Sequence, residues 1–103
     1  MLISVDVDVM KVLADPLRMR IVSLLAHETL CTTHLMEETG ARQTNLSNHL
    51  RLLREAGVVE TEPCGRYTYY RLCPEVLESL SEGLAGLAAT ARSTNVAQNR
   101  RPC

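Results

Sequence analysis

The sequence contains no phenylalanine and no tryptophan, and its only aromatic residues are Tyr67, Tyr69 and Tyr70. Its hydrophobic core must therefore be built from leucine, valine, isoleucine, methionine and alanine. It also lacks any apolar run approaching the roughly 20 residues that a membrane-spanning helix needs. The first residues, MLISVDVDVM, are acidic where a signal peptide is basic, so we expect a cytoplasmic protein.

A strong charge excess is missing as well, because 11 basic and 12 acidic residues leave a formal net charge of −1. Residues 1–40 carry three basic and six acidic groups, whereas residues 41–71 carry five basic and three acidic groups. This small basic excess permits a polyanionic partner without establishing one. A chain of 103 residues that is 46% apolar suits one domain.

The four cysteines, at positions 31, 64, 73 and 103, include no C-x-x-C pair. This spacing excludes a zinc knuckle and a thioredoxin-type motif. In a reducing cytosol we expect four free thiols and no disulfide framework. Soft-metal binding and redox sensing both stay open.

In the part of the chain before residue 58, apolar spacing and capping residues predict four helices and a short strand. ADPLRMRIVSLLAH begins a helix that Asp15 caps, and a short helix ending near Ala14 precedes it. ETLC is a short strand candidate, and TTHLMEETG predicts a two-turn helix that ends at Gly40. The fourth helix follows in ARQTNLSNHLRLLREAG, residues 41–57.

This fourth helix has two different faces. Leu46, Leu50 and Leu53 recur at helical spacing and predict one side that packs into the core. We expect His49 to face partly inward and to pack. The opposite side consists mainly of short side chains that can donate or accept hydrogen bonds, namely Gln43, Thr44, Asn45, Ser47 and Asn48, together with the longer Arg51.

VVETEPCGRYTYYRL predicts a β-hairpin with strands over residues 58–62 and 66–72, joined by a three-residue loop. Pro63 would begin the turn, and Gly65 would supply its left-handed residue. Pro74 opens a last helix that we expect to end at Ala91. Its leucine stripe exceeds what one small core can absorb and suggests a partner surface. We expect a single domain over residues 1–91 and a flexible polar tail over residues 92–103.

Two helices joined by TGARQ make a helix-turn-helix, whose second helix enters the DNA major groove. Asparagine and glutamine on that helix can pair with adenine, and Arg66 on the hairpin can meet phosphate or the minor groove. Helix capping alone would explain Thr44 and Asn45, but it explains neither Asn48 nor the hairpin. The expected DNA-binding residues are Gln43, Thr44, Asn45, Ser47, Asn48, Arg51 and Arg66.

Three segments, VLADPLRMRIVSLLA, NLSNHLRLLREAGVVE and GRYTYYRL, resemble in order and spacing the signature blocks of the ArsR/SmtB winged-helix repressors. The resemblance covers about residues 9–73. It implies a mainly α-helical winged helix-turn-helix with the order α-α-(β)-α-α-β-β-α. It further implies a homodimer formed by the first and last helices, which binds an inverted-repeat operator and is released by an inducer.

Many members of this family sense metals or metalloids, so the resemblance directs attention to the cysteines. In the arsenic-sensing type, a C-V-C-D-L block opens the short helix before the turn. The matching segment here is LCTTHL, in which Cys31 matches the first thiol and Thr33 stands at the second. The zinc-sensing type has Asp, His and Glu ligands on the last helix, where this sequence has no histidine.

Trivalent arsenic and antimony prefer three thiolates. We therefore expect arsenite or antimonite as the inducer, with cadmium, lead and mercury as other thiophilic candidates and no organic cofactor. The expected ligands are Cys31, Cys64 and Cys103, with Cys73 as a substitute. We expect the short strand, residues 29–31, to pair with the second hairpin strand and so to bring Cys31 and Cys64 together in space. For Cys31 and Cys73 a buried structural thiol is the alternative, and His34 is either a fourth ligand or a surface or capping residue.

Three competing functions remain. A DNA-binding repressor can instead be switched by thiol oxidation. A winged helix used only for protein contact would lack salt-sensitive DNA binding. A thiol enzyme of the phosphatase-like kind needs Cys-x5-Arg, but the sixth residues after Cys31, Cys64 and Cys73 are Glu, Tyr and Ser. No glycine-rich phosphate loop is present either, so we do not expect an enzyme.

Overall fold

The computed structural model describes residues 5–103, so the first four residues of the predicted domain lie outside the described residues. The described chain forms five helices and three strands. In chain order these are α1 (Val7–Leu13), α2 (Pro16–Leu25), β1 (Leu30–Cys31), α3 (Thr32–Thr39), α4 (Gln43–Glu55), β2 (Val59–Cys64), β3 (Tyr67–Leu72) and α5 (Pro74–Ala97). The predicted winged helix-turn-helix order is confirmed. Within residues 5–103, no helix combines the length and the apolar character that crossing a membrane demands.

A corner separates α1 from α2, and Asp15 lies at this corner as the N-cap of α2. The Asp15 carboxylate accepts a hydrogen bond from the Arg18 amide at 3.0 Å, as an N-cap does, and Pro16 occupies the first position of α2. That hydrogen bond lowers the pKa of the Asp15 carboxyl below its ordinary value. The predicted cap at Asp15 and the predicted end of α1 near Ala14 are both confirmed.

The three strands form one antiparallel sheet in the order β1-β3-β2. Leu30 pairs with Tyr70 and Cys31 pairs with Tyr69, which confirms that the short strand lies beside the second hairpin strand. Strand β3 is therefore central, and β1 and β2 are its two flanking neighbours.

The hairpin turn differs from the prediction. Cys64 pairs with Tyr67, so only Gly65 and Arg66 connect β2 to β3, and the predicted three-residue loop is wrong. Gly65 has φ 62°, and a positive φ at the first central position alone is the pattern of a type II′ turn. Pro63 lies within β2, where an edge strand tolerates the missing amide hydrogen.

One apolar cluster holds the elements before α5 together. Its buried members are Val9, Ile21, Val22, Leu25, Leu30, Leu35, Leu46, Leu50, Leu53, Val58 and Val59. Tyr70 only borders this cluster, as do three apolar side chains of α5: Val76, Leu77 and Leu80. No charged or polar side chain among residues 5–103 is buried. This cluster is thus aliphatic, as the composition predicts, and Cys31 is buried as well.

Helix α5 continues to Ala97, six residues beyond the end predicted at Ala91. The threonine hydroxyls in this part of the chain are accommodated within the helix because they donate to carbonyls one turn earlier. Thr90 bonds to the carbonyl of Gly86, and Thr94 bonds to the carbonyl of Thr90, each at 3.0 Å. The helix boundary is therefore corrected, while the division into a domain and a tail stays a prediction.

Candidate nucleic-acid interface and thiol sites

The turn between α3 and α4 is defined by local hydrogen bonds. Gly40 ends α3 with φ 74°, a conformation that glycine adopts without steric cost. The Thr39 hydroxyl accepts a hydrogen bond from the Ala41 amide at 3.2 Å. From α2, the Arg20 guanidinium donates to the Glu38 carbonyl at 3.1 Å and so joins the end of α3 to α2. Helix α4 therefore starts from a constrained position.

Three leucines determine which side of α4 faces the core. Leu46 and Leu53 have no exposed surface, and Leu50 is 1% exposed. Because these residues lie on one side of the helix, the opposite side must face outward. The predicted core-facing side is thereby confirmed.

The outward side of α4, which we call the polar face, consists of short hydrogen-bonding side chains and one arginine. All six are exposed: Gln43, Thr44, Asn45, Ser47, Asn48 and Arg51. Five of them line a shallow depression of about 460 Å³. Neither Thr44 nor Asn48 packs inside the subunit. The expected readers thus stand together on one accessible surface, and their contact with DNA stays a prediction.

Arg51 is oriented along this polar face by two neighbours. Its guanidinium donates to the Glu55 carboxylate and to the Asn48 side-chain oxygen, each at 3.1 Å. Exposed ion pairs between residues four apart contribute little to stability. Arg51 can therefore leave the Glu55 carboxylate and bind a phosphate at a small cost in free energy. Among the described residues, the amide nitrogen of Asn48 makes no hydrogen bond, which leaves it available for an acceptor on a ligand.

The hairpin carries two arginines with different roles. Arg71 is held across the strands by Glu60 at 2.9 Å and by Glu62 at 3.1 Å. The hydrogen bond to Glu60 raises the pKa of Arg71 above its ordinary value. Arg66 lies exposed at the hairpin turn and takes part in no ion pair within residues 5–103. Arg66 is therefore the hairpin cation that is available for a phosphate.

Cys31 lies at the junction of β1 and α3 and is 4% exposed. Its amide donates to Nδ1 of His34 at 3.3 Å, and its Sγ lies 3.4 Å from the same nitrogen. The His34 ring stands edge-on to Tyr69, with centroids 6.0 Å apart. Of the two alternatives for His34, the capping role is observed. A pocket of about 310 Å³ adjoins this pair, lined by Cys31, Thr33, His34, Glu37, Tyr67 and Tyr69.

The other three cysteines have different surroundings. Cys64 is exposed at the end of β2, and Cys103 is exposed at the last position of the chain. Cys73 lies between β3 and α5, where its amide donates to the Val58 carbonyl at 2.9 Å, so it is a junction residue as expected. Partial burial, followed by the charges of Glu60 and Glu75, raises the pKa of the Cys73 thiol.

The structure does not bring Cys31 and Cys64 together. They lie on the two outer strands, opposite Tyr69 and Tyr67 of β3. Strand spacing and rise per residue place their Cα atoms about 12 Å apart, too far to share one ion. Within residues 5–103, no three His, Cys, Asp or Glu side chains are grouped so as to hold a metal ion. A site made of Cys31, Cys64 and Cys103 therefore requires movement of the hairpin or thiols from a second subunit.

One contact was missed by the sequence reasoning. His49 was expected to pack, but its Nδ1 accepts a hydrogen bond from the Arg18 guanidinium at 3.0 Å. The two residues are 31 positions apart, and neither belongs to a local pattern that pairs them. Only the folded arrangement of α2 against α4 reveals the contact.

Known proteins are similar to this chain in sequence and in fold. A family model described as bacterial regulatory protein, arsR family, matches residues 15–61. The arsenic resistance transcriptional regulator ArsR1 of Pseudomonas putida is 40% identical over 80 residues, which cover 77% of this chain and 62% of that protein. The arsenical resistance operon repressor of Staphylococcus xylosus is 34% identical over 76 residues, which cover 74% of this chain and 73% of that protein.

A solved structure, described as a possible transcriptional regulator for arsenical resistance, superposes with a TM-score of 0.72 at 33% sequence identity. The match covers 91% of this chain and 98% of that chain. The chain spans less than two thirds of the Pseudomonas putida relative.

The cysteine environments predict different reaction rates with a charged aromatic disulfide reagent. Cys64 and Cys103 should react fast because they are exposed, whereas Cys31 should react slowly because it is buried. Cys73 should also react slowly, since its raised pKa leaves little thiolate at neutral pH. Stopped-flow absorbance would count the fast thiols, and peptide mass spectrometry would assign them. Cys64→Ser protein is the control and should lose one fast equivalent. Labelling of Cys31 as fast as Cys64 would contradict the burial described above.

Proposed function

The chain belongs to the arsR family of bacterial regulatory proteins, and we propose that it is a transcriptional repressor released from operator DNA by a thiophilic ion. Arsenite or antimonite is the proposed ion, because relatives in Pseudomonas putida and Staphylococcus xylosus are named for arsenic or arsenical resistance. The observation that carries the proposal is the exposed polar face of α4, which lies opposite three buried leucines.

DNA binding is supported by the dimensions and chemistry of α4. Its 13 residues extend about 20 Å along the helix axis. The diameter of an α-helix matches the width of the major groove, so α4 can enter it. The side-chain amides of Gln43 and Asn48 suit adenine, which offers one acceptor and one donor in that groove. Arg51 and Arg66 then supply contacts to phosphate, which fix the register of the helix on the duplex.

A homodimer is supported by apolar side chains that one subunit leaves uncovered. No residue of α5 is buried, and its Leu84 and Leu87 are 44% and 50% exposed. Val7 and Met10 of α1 are exposed as well. A second copy that covers these residues of α1 and α5 would set two α4 helices about 34 Å apart, one turn of DNA. An inverted-repeat operator matches that twofold symmetry.

Release by an ion is proposed to act through the strands that flank β3. Joining Cys31 to Cys64 requires β1 or β2 to move, because the Cα atoms of these two cysteines lie about 12 Å apart. Such a shift would move the hairpin and the start of α3, which directly precedes the reading helix. Cys103 would complete the thiolate set from the end of the chain. By linkage, the ion must weaken DNA affinity by the same factor by which DNA weakens ion affinity.

Thiol oxidation is the second candidate, and the exposure of Cys64 and Cys103 favours it. A disulfide requires Cα atoms within about 7 Å, so Cys31 and Cys64 cannot form one without the same strand movement. Mass spectrometry of the released protein separates the candidates. A bound metalloid supports ion binding, and a loss of about two daltons without metalloid supports oxidation.

Substitution of a proposed base reader should reduce sequence-specific binding selectively. Asn48→Ala removes a proposed adenine contact, so affinity for the duplex upstream of the chain's own gene should fall about tenfold. Affinity for a shuffled duplex should not change, because Asn48 contributes no charge. Fluorescence anisotropy with labelled duplexes measures both constants. The exposed Asn99→Ala serves as the matched control.

The same titrations test the proposed phosphate contact. Arg66→Ala should weaken binding to both duplexes and reduce the slope of log affinity against log salt by about one. Equal binding of wild-type protein to the upstream and shuffled duplexes at every salt concentration would contradict the proposed function.

Arsenite should dissociate the complex of wild-type protein with the upstream duplex. Cys31→Ser and Cys64→Ser should each raise the arsenite concentration needed by about tenfold, because a hydroxyl is a poor ligand for a thiophilic ion. Cys73→Ser is the matched control and should release DNA at the wild-type concentration. If the Cys31 and Cys64 variants also release DNA at that concentration, the ligand assignment is wrong.

A further inference from the structure

We infer that His49 is a positioning residue, which sets the placement of α4 for sequence-specific binding through its hydrogen bond to Arg18. This inference rests on the DNA binding proposed above. His49 lies on α4, but its side chain is only 18% exposed and points away from the polar face, toward α2. His49 therefore influences the polar face from the opposite side of α4, without being part of that face.

The Arg18 guanidinium joins three helices at one point. Its Nη1 donates to Nδ1 of His49 at 3.0 Å, and its Nε donates to the Val12 carbonyl of α1 at 2.6 Å. The Asp15 carboxylate, which caps α2, lies 3.8 Å from the same imidazole nitrogen. The end of α1, the start of α2 and the middle of α4 are thus connected through the Arg18 guanidinium. We call this group the Arg18 bracket.

The bracket defines the chemistry that His49 must provide. Arginine has only donors, so Nδ1 of His49 must accept and the proton of the neutral ring must lie on Nε2. Within residues 5–103, this is the only side-chain hydrogen bond that joins α4 to another helix or strand. The remaining side-chain hydrogen bonds of α4, those of Arg51, stay within the helix.

A directional bond is needed because the leucine contacts of α4 are not directional. Apolar burial favours any placement that covers Leu46, Leu50 and Leu53, so it tolerates small rotations and sliding. A hydrogen bond weakens steeply with angle and distance, and it therefore selects one placement. Base contacts need positions within about half an ångström, whereas attraction to phosphate charge does not. Loss of the bracket should consequently affect specific binding and spare non-specific binding.

Two amide substitutions at position 49 separate positioning from general stability. Asparagine places its side-chain oxygen where histidine has Nδ1 and so keeps the acceptor for Arg18. Glutamine places its amide group one bond further, near the position of Nε2, and so loses that acceptor. Because both residues are uncharged amides, they form a matched pair. We expect His49→Asn to keep the ratio of affinities for the upstream and shuffled duplexes within about threefold of wild type, and His49→Gln to lower it about tenfold.

A second readout comes from repeating the two substitutions in a protein that lacks the Arg18 guanidinium. In Arg18→Met protein the acceptor has no donor, so the Asn and Gln substitutions should give the same affinity ratio. His27→Asn, at an exposed histidine outside the bracket, is the control and should leave the ratio unchanged. Thermal unfolding of every variant, measured at one protein concentration, shows whether a variant is folded at the assay temperature.

Each outcome decides a separate claim. Equal ratios for the Asn and Gln variants in the wild-type background would overturn the role of His49 and leave the proposed function intact. A difference between them that persists in Arg18→Met protein would also overturn it, because the effect would then not pass through Arg18. A wild-type protein that binds both duplexes equally would overturn the proposed function itself. If His49→Gln does not fold, Arg18→Met alone must lower the ratio, and an unchanged ratio would overturn the inference.

Discussion

The burial of three leucines on one side of α4 is the constraint on which the rest of the molecule depends. Leu46, Leu50 and Leu53 are in contact with the core and almost fully hidden from solvent. Burial of each leucine stabilises the fold by about 1.5–3 kcal/mol relative to an exposed side chain. Rotation of α4 about its axis would expose these leucines and remove most of that stabilisation. The same periodicity that buries the leucines exposes the polar face. Stability and the proposed recognition are therefore two consequences of one pattern.

The absence of phenylalanine and tryptophan shapes how the other elements support this helix. An aliphatic core of this size covers α1 to β3 but reaches only the first part of α5. The long last helix and the exposed side of α1 therefore keep apolar surface for a second subunit. The small sheet places β1, which leads directly into α3, beside the hairpin. The elements proposed to bind DNA, a second subunit and the ion are therefore neighbours that short segments of the chain connect.

Much of this arrangement follows from local sequence patterns. The cap at Asp15, the end of α3 at Gly40, the leucine face of α4 and the pairing of β1 with β3 were all predicted and are confirmed. The hairpin turn was not, because Pro63 resembles a turn residue unless one knows that β2 is an edge strand. The end of α5 was missed because threonines that bond back to the helix do not follow an apolar period.

The contacts of the site were less predictable than its residues. Local patterns named the polar face of α4, but they carry no information on residues 31 positions apart, so the Arg18–His49 hydrogen bond was not foreseen. Distances between cysteines depend on strand order, and the sequence alone did not reveal that Cys31 and Cys64 lie on opposite sides of β3. Tertiary geometry decides these points, because each depends on elements that meet only after folding.

The most direct measurement of the central claim is nuclear magnetic resonance of the side-chain amide groups during titration with the upstream duplex. If the polar face contacts base edges, the side-chain amide signals of Gln43, Asn45 and Asn48 should shift or broaden. The signals of Gln98 and Asn99, beyond the end of α5, should stay in place. Binding of the duplex without any change in the three α4 signals would contradict the account, since the polar face would then not be the surface that meets DNA.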